Sequence, residues 1–227
     1  MIYTCIDLET TGVPGKDGPI EDLQILEFGA VIEDSNNPLH WDDIPKYNKI
    51  ILHDNLQGGV FALNMNQRII KILADRMLVP KERKTEYDSN YGIIKLEDLA
   101  NDFFNFLFPY YGQLPEDEFD KAIAESQKYK QTPFYINVAG KNFDNFDRKF
   151  INTIPKFDSY VRMRNRTIDP TTSYIDWTVD NEPPGLGKCL ERAGIIKTVS
   201  HKAVEDCWDT IQVLRKEYLI NKLWMKK

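Results

Sequence analysis

The sequence has few cysteines and no long apolar run. Only three cysteines occur, widely spaced and without a CxxC pair: Cys5, Cys189 and Cys207. This pattern argues against a disulfide framework or a zinc site, so we expect buried free thiols. No apolar run approaches the ~20 residues that a membrane-spanning helix needs. The first residues meet an acid at Asp7 and have no basic flank, unlike a signal peptide. We therefore expect a cytoplasmic protein with no membrane partner.

Positive charge is also scarce. The chain has 29 lysines and arginines against 35 acids, a net charge of −6. Proteins that bind nucleic acid broadly through charge usually carry a basic domain, so the composition argues against that mode of binding. It remains compatible with an enzyme that holds a few nucleotides around cations. The hydrophobic fraction of 42% is ordinary for a globular protein and predicts no long disordered region.

Hydrophobic periodicity predicts strands first, and then strands and helices in alternation. Period-two patterns predict strands at residues 2–8, 24–33, 49–53 and 134–138. Helical spacing predicts helices near residues 63–77, 96–108, 143–151, 186–193 and 203–223. Two segments lack either pattern: residues 112–132, predicted to be a surface insertion, and the irregular residues 162–185. We expect a single α/β domain over residues 1–227, with three early strands forming an antiparallel meander within a mixed sheet.

Two acids, Asp7 and Glu9, stand at the end of the first strand in the sequence IDLETTG. Because side chains alternate along a strand, both carboxylates project to the same face. They repel each other unless a cation lies between them, and a hard ion such as Mg²⁺ prefers carboxylate ligands. For an isolated pair, a solvated strand end is the simpler interpretation, because acids are common in this chain.

Two later segments combine acids with helix starts. The segment NFDNFDRKF places Asp144 and Asp147 near the start of a predicted helix. A single acid in the first turn is favoured by the helix dipole, so neither residue alone indicates a metal site. In HKAVED, His201 precedes the last helix and Asp206 lies within it. An acid on a helix otherwise rich in apolar residues needs a partner. The other histidines, His40 and His53, have no companion carboxylate motif and are predicted to be surface residues.

Together the three motifs resemble those of the DEDD superfamily of exonucleases, in its histidine subclass, which includes oligoribonuclease, ribonuclease T and proofreading subunits. The order of the motifs matches, and the likeness spans nearly the whole chain. The segment DRKF is similar to the family's second motif and favours Asp147 over Asp144. Three features depart from the family pattern: a longer loop after Gly12, the segment 112–132, and Lys141 where many relatives carry histidine.

The resemblance implies a ribonuclease H-like fold and a metal-dependent 3′→5′ exonuclease. The implied metal ligands are Asp7, Glu9, Asp147 and Asp206, which would bind two divalent cations, Mg²⁺ or Mn²⁺. His201 would be the general base. The implied partner is a nucleic-acid 3′ end, expected to be single-stranded, and the product a nucleoside 5′-monophosphate. DNA and RNA share the chemistry at phosphorus, so neither sugar is implied.

Two other hypotheses remain beside a free-standing exonuclease. One is a proofreading subunit that acts with a polymerase, and the other is a nucleic-acid-binding protein of the same fold without catalysis. The complete set of acids and histidine argues against the second. A further cluster, Arg162, Arg164 and Arg166, either contacts phosphates or forms a solvated surface.

Overall fold

The computed structural model describes residues 1–112 and 133–224, with side chains described up to residue 219. Its strands are β1 (Ile2–Thr10), β2 (Ile25–Asp34), β3 (Lys46–Leu52), β4 (Ile93–Lys95), β5 (Phe134–Ile136), β6 (Val138–Ala139) and β7 (Val161–Met163). Its helices are α1 (Val60–Met65), α2 (Gln67–Leu78), α3 (Lys84–Tyr91), α4 (Leu96–Tyr111), α5 (Asp147–Ile151), α6 (Phe157–Tyr160), α7 (Leu186–Arg192) and α8 (Ala203–Trp224). The predicted insertion at 112–132 lies outside the described residues except for Gly112.

A five-stranded mixed sheet in the order β4-β3-β2-β1-β6 forms the centre of the fold. Strands β1, β2 and β3 pair antiparallel, while β6 runs parallel to β1 and β4 runs parallel to β3. A separate two-stranded parallel sheet joins β5 and β7. The predicted meander, the mixed sheet and the flanking helices are therefore confirmed.

The two faces of β1 pack against different helices. Ile6 and Leu8 belong to the larger core, which also contains Phe103 and Leu107 of α4. Tyr3 and Cys5 belong to a second cluster with Cys207 and Ile211 of α8. Because side chains alternate, Asp7 and Glu9 project to the face that carries α8.

Several predicted elements are divided or shortened. The helix predicted at 63–77 is broken at Asn66, whose side-chain amide donates to the carbonyls of Thr10 and Ala62. The strand predicted at 134–138 is divided at Asn137, because the residues before it pair with β7 and those after it pair with β1. The helix predicted at 143–151 begins only at Asp147. Residues 162–185 are more regular than predicted, since they include part of β7 and a 3-10 helix at Pro170–Tyr174.

The burial of the cysteines and of two histidines can be compared with the predictions. All three cysteines are buried free thiols, as predicted. His40 is exposed, as predicted for a surface residue. His53 is partly buried, and its ring nitrogens lie 2.7 Å from the Ile25 carbonyl oxygen and 3.4 Å from the Gln24 side-chain nitrogen. No helix within residues 1–112 and 133–224 combines the length and apolar character required to span a membrane.

Candidate metal centre

The start of α8 lies very close to β2, the strand that pairs with β1 at Asp7. Gly29 on β2 is the register partner of Asp7, and a Cβ atom at Gly29 would lie 2.5 Å from the backbone of Ala203 and Val204. Only a residue without a side chain allows this approach. Because Gly29 has no side chain, α8 can approach β2 closely, and Asp206 in the first turn of α8 lies near the carboxylates of β1.

Asp147 reaches the same place from α5. Its side chain is 3% exposed, and its Oδ1 accepts a hydrogen bond from the Leu8 amide at 3.0 Å. Leu8 lies between Asp7 and Glu9, so this bond places the Asp147 carboxylate beside both acids. Asp144 is exposed instead, where it binds Arg148 Nε at 2.6 Å and Thr167 Oγ1 at 2.5 Å.

Glu9, His201 and Asp206 form a compact group of possible metal ligands. One ligand atom from each lies within 4.8 Å of the other two. His201 is exposed on the loop that precedes α8, in the left-handed backbone region with φ of 53°. Ser200 Oγ donates to Asp206 Oδ1 at 3.4 Å, which links this loop to the helix.

Burial and mutual repulsion raise the pKa of all four predicted ligands. The pKa of Asp7 is raised well above its usual value, first by burial and then by the charges of Asp147, Asp206 and Glu9. Burial likewise raises the pKa of Glu9 and of Asp147 to about 7, and that of Asp206 to about 6. For Asp206 the neighbouring Asp209 adds to the effect of burial. The site therefore favours carboxyl groups that are neutral, or that face a cation.

A divalent cation fits this set of donors. No lysine or arginine in the part of the chain with described side chains forms an ion pair with Asp7, Glu9, Asp147 or Asp206. Lys141 and Arg68 lower the pKa of Asp147 and Glu9 only as minor contributions. Converging carboxylates without a basic partner are the oxygen ligands that Mg²⁺ and Mn²⁺ prefer.

The sequence motifs did not identify one buried acid near the site. Glu27 on β2 is 1% exposed and accepts hydrogen bonds from Arg68 at 2.7 and 2.8 Å and from Asn48 at 3.0 Å. The Ala203 amide, at the start of α8, also donates to Glu27, at 3.3 Å. Glu27 therefore fixes α8 relative to β2, β3 and α2. An acid inside the apolar segment QILEFGAV was the available signal, because a buried carboxylate needs partners.

Solved structures with a similar fold include nucleases. The nuclease domain of 3′hExo, described as a DEDDh family member bound to rAMP, has a TM-score of 0.56 and 15% identity, covering 96% of this chain and 92% of that chain. Cell-death related nuclease 4 (CRN-4) has a TM-score of 0.56 and 14% identity over 96% of this chain. The present chain spans 64% of that protein, less than two thirds.

A third similar structure is a 3′-exonuclease that recognises the histone mRNA stem-loop, with a TM-score of 0.54 and 14% identity, covering 96% of this chain and 81% of that chain. No protein-family model matches the chain. No curated protein matches it either. At these identities the likeness shows the fold, and the ribonuclease H-like exonuclease fold predicted from the motifs is confirmed. The roles assigned to individual residues stay predictions.

Proposed function

We propose that the protein is a metal-dependent 3′→5′ exonuclease that releases nucleoside 5′-monophosphates from single-stranded nucleic-acid ends. The observation that carries this proposal is the convergence of Asp7, Glu9, Asp147 and Asp206 from three distant segments, without a basic partner among the described side chains. His201 stands at the edge of the same group. The nuclease identity of the structures with a similar fold supports the proposal.

The four carboxylates would hold two divalent cations, Mg²⁺ or Mn²⁺. When bound, such cations supply Lewis acidity at phosphorus and ease deprotonation of water. The amide of Leu8 orients Asp147 towards Asp7 and Glu9, and Glu27 holds the first turn of α8, which carries Asp206. These contacts within the chain hold Asp147 and Asp206 near the carboxylates of β1.

His201 accepts the proton of the attacking water in this proposal. It is exposed, so it can meet substrate and solvent, and it belongs to a loop rather than to the packed core. Its ring lies close enough to Glu9 and Asp206 to act as a metal ligand instead. The two roles differ in their effect on metal affinity, and this difference can be measured.

A digestion assay with an end-labelled oligonucleotide tests the proposal. We expect mononucleotides to be released from the 3′ end with Mg²⁺ or Mn²⁺, and no release in excess EDTA. His201→Ala should lower turnover by roughly 10²–10⁴, the usual contribution of a positioned acid–base group, while calorimetry finds metal affinity unchanged. His40→Ala is the control, because His40 is exposed on the connection between β2 and β3.

Three outcomes would contradict parts of this proposal. Undiminished cleavage in EDTA would exclude the metal requirement, and release only from internal positions would exclude an exonuclease. Loss of metal affinity in His201→Ala would make the histidine a ligand. Parallel DNA and RNA substrates determine the sugar, and activity of the isolated chain would show that no polymerase is required.

A further inference from the structure

Three exposed arginines alternate along β7 and the segment that follows it. We call Arg162, Arg164 and Arg166, together with the exposed Tyr135 on β5, the arginine strip. Tyr135 pairs with Arg162 in the register of the two strands. Three of its members, Tyr135, Arg164 and Arg166, line a surface depression of about 550 Å³ together with Asn137. These residues are not part of the candidate metal centre.

The strip faces the same side of the molecule as the metal centre. Phe134 and Ile136 of β5, like Val161 and Met163 of β7, pack into the core on the α4 side. Strand alternation therefore directs Tyr135, Arg162 and Arg164 to the opposite side. Further along both segments, Ala139 and Ile168 pack into the cluster beside α8. Asp7 and Glu9 project to this face as well.

The strand register also places the strip on a path to the metal centre. Ala139 pairs in parallel with Cys5 of β1 and forms a bridge with Ile168. Tyr135, the register partner of Arg162, stands four residues before Ala139, and Asp7 stands two residues after Cys5. At about 3.3 Å per residue, Arg162 therefore lies roughly 20 Å before Asp7 along the strand direction. Arg148 donates to the Arg164 carbonyl at 2.9 Å, which ties the strip to the helix that carries Asp147.

The side chains of the strip combine positive charge with an accessible aromatic ring. Tyr135 is 53% exposed, and the guanidinium carbons of Arg162 and Arg164 lie 5.8 and 5.9 Å from its ring centroid. Arg162 also donates to the tyrosine hydroxyl at 2.9 Å. Among the described side chains, no carboxylate forms an ion pair with the three arginines. Within the described residues, no carboxylate therefore neutralises their charge, in a chain of net charge −6.

We propose that the arginine strip binds the single-stranded part of the substrate, upstream of the 3′ end held at the metal centre. Arginines would contact successive phosphates, and Tyr135 would stack on an unpaired base. The exposed ring favours a single strand over a duplex, whose bases are already stacked. The direction of the strand rests on the proposed exonuclease function, whereas binding to the strip does not require catalysis.

Equilibrium binding in EDTA tests this inference without cleavage. We compare a labelled dodecamer with a dinucleotide by fluorescence anisotropy, using the triple variant Arg162→Gln, Arg164→Gln and Arg166→Gln. The control variant, Lys81→Gln, Arg83→Gln and Lys95→Gln, removes three exposed cations from β4, at the opposite edge of the sheet, and from the turn before α3. The strip variant should weaken dodecamer binding by at least about tenfold and lower the salt slope by roughly two, since each phosphate contact contributes about 0.7.

In EDTA the dinucleotide should bind far more weakly than the dodecamer, and the triple variants should not differ in binding it, because a dinucleotide does not reach the strip. Tyr135→Ala should weaken dodecamer binding by at least about fivefold, the lower end for loss of one stacked base. Equal effects of the strip and control variants would overturn the inference, as would a larger loss for a duplex than for a single strand. Strip-dependent binding without any metal-dependent cleavage would overturn the proposed function and leave this inference standing. If the parent cleaves the substrate in a metal-dependent manner but the strip variant binds the dodecamer as tightly as the parent, this inference is overturned and the proposed function stands.

Discussion

At the scale of single residues, the buried acids of this protein fall into two groups. Glu33 is buried against Arg215 at 2.6 Å and the hydroxyl of Tyr218. Asp209 is buried against Lys197 at 2.8 Å. Such pairs compensate the cost of removing a carboxylate from water. The acids of the candidate centre, Asp7 and Asp147 among them, have no such partner within the described side chains, which is why a cation is the expected compensation.

The middle motif could be assigned from the sequence only in part. The order of residues in DRKF favoured Asp147, and the buried position of Asp147 agrees with that choice. The bond from the Leu8 amide to Asp147 joins residues separated by 139 positions, so no local pattern could predict it. The same holds for the partners of Glu27, which come from three other elements.

Substitution of the two candidate acids distinguishes their roles. Asp147→Asn should keep the fold, because the amide oxygen can still accept the Leu8 hydrogen bond, but it removes a charged ligand. We expect turnover to fall by more than about 100-fold, because substitution of residues that only hydrogen-bond to a metal ligand already lowers activity by about 10–100-fold. Asp144→Asn should leave turnover nearly unchanged, because Asp144 is exposed and binds Arg148. Single-turnover kinetics with a circular dichroism check would measure both, and the reverse ranking would transfer the role to Asp144.

At the scale of elements, the loop between α7 and α8 determines where His201 lies. α7 ends at Arg192, and Gly194 follows in the left-handed region with φ of 71°, a conformation that glycine commonly supplies after a helix. Lys197 then reaches Asp209 on α8, one turn beyond Asp206. The second oxygen of Asp209 has no hydrogen-bond partner in the described part of the chain. This ion pair joins the loop to the helix, beside the hydrogen bond from Ser200 to Asp206.

Breaking the Lys197–Asp209 pair should loosen the loop. Lys197→Met leaves a buried carboxylate without its cation, and we expect the free energy of unfolding to fall by about 2 kcal/mol, less than for a fully buried pair because Lys197 is partly exposed. Proteolysis near residue 197 should become faster and turnover should fall. The double variant Lys197→Met with Asp209→Leu should recover stability. The control is Lys188→Met, because the pair of Lys188 with Glu191 is exposed. Equal losses in both single variants, measured by urea unfolding, would contradict a specific tie.

At the scale of the whole molecule, composition concealed an uneven distribution of charge. The net charge of −6 argued against broad binding to nucleic acid, and it is an average over the whole sequence. The structure groups acids at the end of β1 and arginines along β7, on one face of the fold. Periodicity predicted the central strands well because each has a clear apolar pattern. It missed β7, which has only three residues, and it could not predict which face each motif would share.

The clustered acids should make the metal-free protein less stable as the pH rises towards neutral. The folded-state pKa is about 7 for Glu9 and Asp147 and about 6 for Asp206, whereas unfolded carboxyl groups titrate near ~4. Between these values the folded protein binds more protons than the unfolded chain, so its free energy of unfolding decreases with increasing pH. Urea unfolding in EDTA between about pH 5 and 7.5 should show this decrease, which lies within the window set by these pKa values.

Asp7→Asn is the informative variant, because it removes one of the charges that repel each other. The pH dependence of its unfolding should be shallower than that of the parent, and at neutral pH the metal-free variant should be the more stable of the two. Mg²⁺ or Mn²⁺ should stabilise the parent at neutral pH, since a ligand that binds only the folded state raises the free energy of unfolding. It should stabilise Asp7→Asn much less. A metal-free parent whose stability increases over the same pH range would show that the four carboxylates are not held together as the structure places them.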